Sequence, residues 1–282
     1  MLLTLWVLFS SSVACGAAPS PHFLLPGPPS PANLPPFAHA LHAHPVLGAA
    51  FARHTPEDRC TLLKGNTELE FSQELRNTVV GAGKRVELAC EVSSAPQAVI
   101  VWLHNGQVVQ VSEGAQEEEA NGRSVGSSIV TSRLSIPCAS SASSGEYSCV
   151  ALSPCSTPIT SSAVVVVKEN PAAEHACIPT RAPPSISVFT VARIEHPSNI
   201  VQFMCRTESS NASISWEAAD EEGAWLPIDG ALGIQVMKNG DLIVDPIIAG
   251  GEDVVSLNYR CTVRTASGMA REDASFLAAE AE

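Results

Sequence analysis

Apolar and polar residues alternate with a period of two along most of the chain after residue 60. The apolar runs are short and are separated by glycine, asparagine, serine or proline, a pattern typical of β-strands that bury one face. In the first half the runs predict strands at Leu69 to Phe71, Val86 to Cys90, Val99 to Leu103, Val108 to Val111, Leu134 to Ile136, Tyr147 to Val150 and Ile159 to Val167. Asn105-Gly106 predicts a tight hairpin, because both residues tolerate positive φ angles.

The second half of the chain shows the same alternation. Its predicted strands are Val201 to Cys205, Ile214 to Trp216, Leu242 to Ile243, Leu257 to Val263 and Met269 to Leu277. The turn Lys238 to Asp241 precedes the third of these. No later run reaches the ~18 apolar residues of a membrane-spanning helix.

A cysteine, a tryptophan and a Tyr-x-Cys motif recur in the same order in both halves. The two sets are Cys90, Trp102, Tyr147, Cys149 and then Cys205, Trp216, Tyr259, Cys261. This spacing is typical of an immunoglobulin sandwich, in which a disulfide joins strands B and F and a strand C tryptophan packs against it. The predicted fold is therefore all-β, with two tandem immunoglobulin-like sandwiches. The run from Asn239 to Val244 resembles the intermediate set of such domains.

Two details of these sandwiches are predicted from their local sequence. Tyr147 lies two residues before Cys149, so its hydroxyl is expected to bond the backbone upstream in a tyrosine corner. Ser143 replaces the acidic residue that usually braces such a corner. Each inter-sheet disulfide closes a loop of nearly 60 residues and removes about 4 kcal/mol of unfolded-chain entropy in the loop model.

The N-terminal part of the chain differs in composition from the rest. Leu2 to Val13 is apolar and is followed by small residues, so residues 1–16 are predicted to be a signal peptide. Residues 17–59 carry ten prolines and are predicted to form a disordered, solvated leader. Its histidines are His22, His39, His42, His44 and His54, and weak metal binding by His39, His42 and His44 is the less favoured alternative to a solvated leader. The predicted domains are 61–168 and 185–280, joined by a proline-rich linker at 169–184.

Nine cysteines indicate an oxidising compartment, and removal of Cys15 with the signal peptide leaves eight. Alternate loops of a sandwich lie at opposite poles, which favours pairing Cys138 with Cys177 and Cys60 with Cys155. The first pair is expected at the pole that faces the second domain. It would clamp the linker and make the two domains a stiff rod, which loses less orientational entropy on binding.

The residues from about 65 to 280 resemble a known group. Leu134-Ser135-Ile136-Pro137-Cys138, then Ser144 to Val150, and Cys177 in the linker are similar to the nematode zwei-Ig secreted proteins. More distantly the chain resembles the insect two-Ig protein that binds insulin-like peptides. The first resemblance implies secretion, often by neurons, and homophilic or heterophilic adhesion, axon guidance, maintenance of position or dendrite self-avoidance. The second implies sequestration of a peptide hormone.

The formal charge of −13 disfavours nucleic acid and acidic membrane surfaces as partners, since both require clustered cations. The residues contain no phosphate loop, zinc spacing or recognisable triad, so we predict no enzyme activity, no cofactor and no metal. The acidic run of Glu113, Glu117, Glu118 and Glu119 is interpreted as a solvated loop, with a docking strip for a basic ligand as the alternative.

Two further features bear on the surface. Asn211-Ala212-Ser213 is an N-glycosylation sequon in the predicted B to C loop of the second domain. Val164 to Val167 are four consecutive valines, and strand alternation forces two of them outward. These two are expected either under the linker or the neighbouring domain, or as a contact patch. The predicted function is a secreted, non-enzymatic protein that recognises extracellular or cell-surface proteins, itself included, with hormone capture as the alternative.

Overall fold

The computed structural model describes residue 60 and residues 68–112, 126–153, 155–178, 182–209, 211–228 and 230–279. The predicted signal peptide, the leader histidines and the four glutamates of the acidic run lie outside these residues. Most of the described chain is β-strand.

The first sandwich contains eight strands in two layers. They are β1 (Leu69–Gln73), β2 (Thr78–Gly81), β3 (Val86–Ser94), β4 (Val99–His104), β5 (Gln107–Ser112), β6 (Ser127–Ile136), β7 (Gly145–Leu152) and β8 (Ile159–Lys168). One layer has the order β1-β3-β6 and the other β2-β8-β7-β4-β5. The apolar face of each layer is buried between them, around the bridge from Cys90 to Cys149. The predicted hairpin is present, with φ of 49° at Asn105 and 77° at Gly106.

The second sandwich follows a short helix, α1 (Pro171–Ala176), in the predicted linker. Its strands are β9 (Val188–Glu195), β10 (Val201–Phe203), β11 (Cys205–Arg206), β12 (Ser213–Ala219), β13 (Trp225–Pro227), β14 (Ile234–Val236), β15 (Leu242–Val244), β16 (Ser256–Thr265) and β17 (Gly268–Ala278). Helix α2 (Pro246–Gly250) precedes β16. One layer has the order β10-β15-β14 and the other β17-β16-β12-β13.

One β-sheet runs through both sandwiches. Strand β9 of the second sandwich pairs antiparallel with β6 of the first, from Val188 opposite Ser132 to Ile194 opposite Ser127. Its other edge pairs with β11 and then with β17. The nine-stranded sheet therefore contains strands from both sandwiches.

Alternation along β9 also joins the two cores. Val188 packs in the core of the first sandwich together with Met204, whereas the next residue, Phe189, packs in the core of the second. Successive side chains of a strand point to opposite faces of the sheet. The two cores therefore lie on opposite faces of the shared sheet at this point.

The prediction of a stiff rod with the second domain at one pole was wrong in its geometry. The second sandwich lies beside β6, along the edge of the first sandwich, and the backbone ladder between β6 and β9 fixes it there. A period-two pattern predicts a strand but carries no information on which strand edge it will join. For this reason β9 reads from the sequence as an ordinary first strand of its own domain.

Buried polar groups fasten this junction. Arg193 and Glu195 on β9 are only 1% and 2% exposed, with 3.8 Å between Nη2 of Arg193 and Oε2 of Glu195. Arg193 donates through Nη1 to Oε1 of Gln97 in the first sandwich, at 2.6 Å. The carboxylate of Glu195 accepts from the backbone N–H of Gly126 at 2.7 Å and from Asn199 at 2.9 Å. Buried charges with such partners are tolerated, and losing one partner leaves the other charge uncompensated.

Candidate interaction surface

Four disulfides hold the framework that carries any interaction surface. The structure joins Cys60 to Cys155, Cys90 to Cys149, Cys138 to Cys177 and Cys205 to Cys261, with Cα–Cα distances of 5.3, 6.6, 5.8 and 6.5 Å. These are the pairs that the loop positions predict. Cys177 directly follows α1, so its bridge to Cys138 attaches the end of this helix to the first sandwich.

The tryptophan and tyrosine of the first sandwich are buried where the motif predicts. Trp102 donates from Nε1 to Oγ of Ser132 at 2.9 Å. Tyr147 donates its hydroxyl to the backbone carbonyl of Ser143 at 3.0 Å, which forms the predicted tyrosine corner. The imidazole of His104 stacks on the Tyr147 ring at 4.2 Å between centroids. Burial raises the pKa of Tyr147, so its hydroxyl stays protonated and remains a donor.

The second sandwich uses the same residue types with a different anchor. Trp216 donates from Nε1 to the carbonyl of Gly240 at 2.8 Å, in the turn that the sequence predicts before β15. Tyr259 is buried and packs against Phe203 at 5.5 Å, and burial raises its pKa. Asn211 is exposed, with a φ of 64°, in the loop before β12. Exposure is the condition that a glycan at the predicted sequon requires.

The exposed valines of β8 form one half of the candidate surface. Val165 and Val167 point into the core, whereas Val164 and Val166 are 45% and 47% exposed. Val79 on the neighbouring strand β2 is 62% exposed and lies opposite Val166. We call Val79, Val164 and Val166 the valine strip. Contrary to the preferred expectation, neither the linker nor the second sandwich buries it.

The other half of the same outer sheet face carries an apolar cluster. Val101 and Leu103 on β4 and Val150 and Leu152 on β7 have the opposite alternation to the core residues Trp102 and Cys149, and all four are buried. Val101 lies opposite Val150 across the two strands. We call these four residues the outer cluster. The outer face of the five-stranded sheet therefore has a buried half and an exposed half.

Sequence reasoning missed the outer cluster, although a signal was present. Val99 to Leu103 contains five consecutive apolar residues, and Cys149 to Leu152 contains four. Unbroken apolar runs are typical of strands buried on both faces. It also missed Val79, because the first strand of the sandwich was predicted only at Leu69 to Phe71. The chain there forms two strands, β1 in one layer and β2 in the other.

The described residues offer little for small-molecule chemistry. No group of three or more potential metal ligands occurs among them. The clearest charged feature lies on the second sandwich, where Arg260 makes two hydrogen bonds to the carboxylate of Asp273, at 2.6 and 2.8 Å. The same guanidinium lies 4.0 Å from the ring centroid of Trp225. Within the described part of the chain, no helix is long and apolar enough to span a membrane.

The fold and its surfaces define an immunoglobulin-type recognition or binding protein. A family model described as "Immunoglobulin domain" matches residues 70–152. The solved structure of neural ectodermal development factor IMP-L2 aligns with a TM-score of 0.57 at 22% identity, covering 75% of this chain and 95% of that one. That likeness extends the two-sandwich fold to both halves of the chain.

More similar in sequence are two proteins of Caenorhabditis elegans. Zwei Ig domain protein zig-3 is 31% identical over 74% of this chain and 83% of its own length. Zwei Ig domain protein zig-4 is 27% identical over 83% of this chain and 90% of its own length. The chain belongs to the zwei Ig domain protein family. The family resemblance inferred from the cysteine pattern is thereby confirmed.

Proposed function

We propose that the protein is secreted and acts at neuronal or other cell surfaces as a non-enzymatic adhesion or recognition protein. The valine strip is the observation that carries this proposal. Three valines on two adjacent strands present a continuous apolar row to solvent, and such rows on a sheet face favour contact with another protein. The zwei Ig relatives and the four disulfides support an extracellular setting.

In this proposal two copies of the chain associate through their valine strips. A contact between identical surfaces is closed by a two-fold axis, so each strip faces its counterpart. Glu146 lies opposite Val164 on β7 and Lys168 follows Val167 on β8, and both are exposed. They place one charge of each sign at the border of the strip. Opposite charges at the border set the register of such a contact more than its affinity.

Sedimentation equilibrium of the secreted protein at micromolar concentration tests the proposal. The triple variant Val79→Ser, Val164→Ser, Val166→Ser should abolish self-association while it leaves the fold intact, because all three side chains are outside the core. A matched control replaces Leu232 and Val255, exposed apolar residues of the second sandwich, by serine. Equal association of both variants and the unaltered protein contradicts a contact through the strip.

The same experiment separates the alternative of hormone capture. A protein that stays monomeric alone but forms a one-to-one complex with a small disulfide-rich peptide hormone acts by sequestration.

N-terminal sequencing of the secreted form is expected to start at Ala17. Digestion with an N-glycosidase is expected to lower its mass, and Asn211→Gln should remove that effect. A protein retained in cells with its thiols free contradicts the proposed secretion.

A further inference from the structure

The hairpin of β16 and β17 presents three arginines on the outer face of the second sandwich. Cys261 on β16 is buried in the core. Alternation therefore places Arg260, Thr262 and Arg264 on the opposite, outer face. Arg271 on β17 lies directly opposite Thr262 and so on the same face. The three arginines thus flank one threonine, two along its own strand and one across the hairpin.

Two of these arginines are free to bind a ligand. Both carboxylate oxygens of Asp273 accept hydrogen bonds from Arg260, at 2.6 and 2.8 Å, and the same guanidinium lies over the ring of Trp225. Arg271 and Arg264 are exposed, and neither has a hydrogen bond or a salt bridge in the part of the molecule that the structure describes. Because Asp273 is engaged by Arg260, it leaves Arg271 available.

The threonine between the arginines has an unused hydroxyl. Thr262 is 1% exposed, and its Oγ1 has no hydrogen-bond partner within the described ranges. A buried hydroxyl without a partner is costly and calls for an explanation. An open cavity of about 460 Å³ lies next to it, lined by Arg260, Arg271, Glu272 and Asp273. A ligand that draws the arginine side chains outward would uncover the hydroxyl and accept its hydrogen bond.

The spacing of the two free cations fits an extended acidic peptide. Arg264 lies opposite Met269, so Arg271 is its diagonal neighbour across the hairpin. Such diagonal neighbours are about 7 Å apart. Alternate residues of an extended peptide share one face and are also about 7 Å apart. Two carboxylates separated by one residue can therefore bond both guanidinium groups at once, and hydrogen bonds between arginine and carboxylate are among the strong ones.

Acidic side chains at the other end of the same face disfavour a long polyanion. Glu217 on β12 lies opposite Arg260, and Glu221 and Glu222 are exposed in the turn that follows β12. Together with the formal charge of −13, they repel a ligand that is anionic along its whole length, such as a sulfated polysaccharide. A short acidic segment that ends at Arg271 avoids this repulsion.

We propose that Arg264 and Arg271 bind an extended acidic segment of a protein partner, in which two glutamates or aspartates are separated by one residue. The hydroxyl of Thr262 donates to one of the two carboxylates. Arg260 is a positioning residue, because it holds Asp273 away from Arg271. The site lies on the second sandwich, whereas the valine strip lies on the first, and it does not rest on what the strip binds.

An NMR titration of the full secreted protein with a synthetic peptide tests the site. The probe is a capped peptide with the core Glu-Thr-Glu between β-branched residues, observed through the arginine Nε–H signals. The signals of Arg264 and Arg271 should shift together, and the same peptide with glutamine in place of both glutamates should leave them unchanged. Equal shifts with the glutamine peptide, or unchanged signals with the acidic one, overturn the proposal. Tighter binding of a heparin oligosaccharide at these arginines would make a sulfated glycan the ligand and would also overturn it.

Substitutions test the roles of the individual side chains. Arg264→Gln and Arg271→Gln should each weaken peptide binding about tenfold, the effect of losing one charge-assisted contact. The matched control is Arg76→Gln, which removes an equal charge from an exposed position of the first sandwich. Equal weakening by the control would reduce the effect to net charge and contradict a site at the hairpin.

The threonine needs a variant that keeps its shape. Thr262→Val removes only the hydroxyl, so it should weaken peptide binding without lowering the midpoint of chemical denaturation, because that hydroxyl has no partner in the free protein. Unchanged affinity in this variant would contradict the proposed hydrogen bond from Thr262.

Discussion

Arg193, a polar residue at the junction of the two sandwiches, is expected to contribute strongly to the free energy of unfolding because it is buried. Arg193→Ala removes the guanidinium that contacts both Glu195 and Gln97, so the buried carboxylate of Glu195 loses this ion pair. Breaking such a buried pair costs about 3–5 kcal/mol. Chemical denaturation of the variant is expected to show that loss. The control is Arg264→Ala, which changes an exposed arginine on β16. Equal denaturation midpoints for the two variants would contradict a stabilising role of the buried Arg193.

Asp273 provides a test of electrostatics at the surface of the second sandwich. Its hydrogen bonds from Arg260 lower the pKa of its carboxyl. The stabilisation is therefore present above the unfolded-state pKa and is lost as the pH falls through the lower folded-state value. A carboxyl NMR titration should show the pKa of Asp273 rising towards its ordinary value in Arg260→Gln and staying low in Arg264→Gln. Identical titrations in both variants contradict the pairing.

The disulfides and the aromatic core residues could be predicted from the sequence, because their spacing is typical of the immunoglobulin sandwich. It does not indicate the role of Arg193 or Glu195. Both are polar residues in an alternating strand, a pattern that predicts a solvent-facing side. They are buried because β9 has strands on both edges and a second core beside it. Tertiary contact overrides the local pattern there.

Among the elements, the ladder between β6 and β9 depends on a glycine. A Cβ at Gly126 would overlap the carbonyl oxygen of Ile194 and the carboxylate of Glu195. Gly126→Ala should therefore push the two strands apart at this end and cost about 1–3 kcal/mol. Hydrogen exchange is expected to accelerate in β6 and β9 of the variant. Gly81→Ala, where no atom other than Lys84 Cγ lies within 4 Å, is the control.

Most strands could be predicted from alternation, since one face of each is buried and the other is exposed to solvent. Two features could not be predicted in this way. The linker helix α1 has only six residues, and it begins with Pro171, which is compatible with a helix there because the first position needs no amide donor. Strand β9 has ordinary alternation but pairs with strands of both sandwiches, and alternation does not indicate which strand it will pair with.

At the scale of the whole molecule, the sequence predicts two modules and the structure joins them into one body. The predicted pairing of Cys138 with Cys177 is present, but the second sandwich does not stand at that pole. The orientation is set by the shared sheet and by a salt bridge from Arg133 to Glu272, at 2.7 Å, between the two sandwiches. The second sandwich is therefore restricted in orientation, as predicted, but the backbone hydrogen bonds between β6 and β9 restrict it rather than the disulfide from Cys138 to Cys177.

A molecule built in this way should unfold as a single unit. Val188 and Met204 belong to the second half of the chain but pack in the core of the first sandwich, so that core is incomplete without the second half. Differential scanning calorimetry is expected to show one transition whose calorimetric and van't Hoff enthalpies agree. Gly126→Ala should broaden or split that transition, because it weakens the ladder that couples the halves, while Gly81→Ala should not. Two resolved transitions in the unaltered protein would mean that the sandwiches are stable independently and that the shared sheet contributes little.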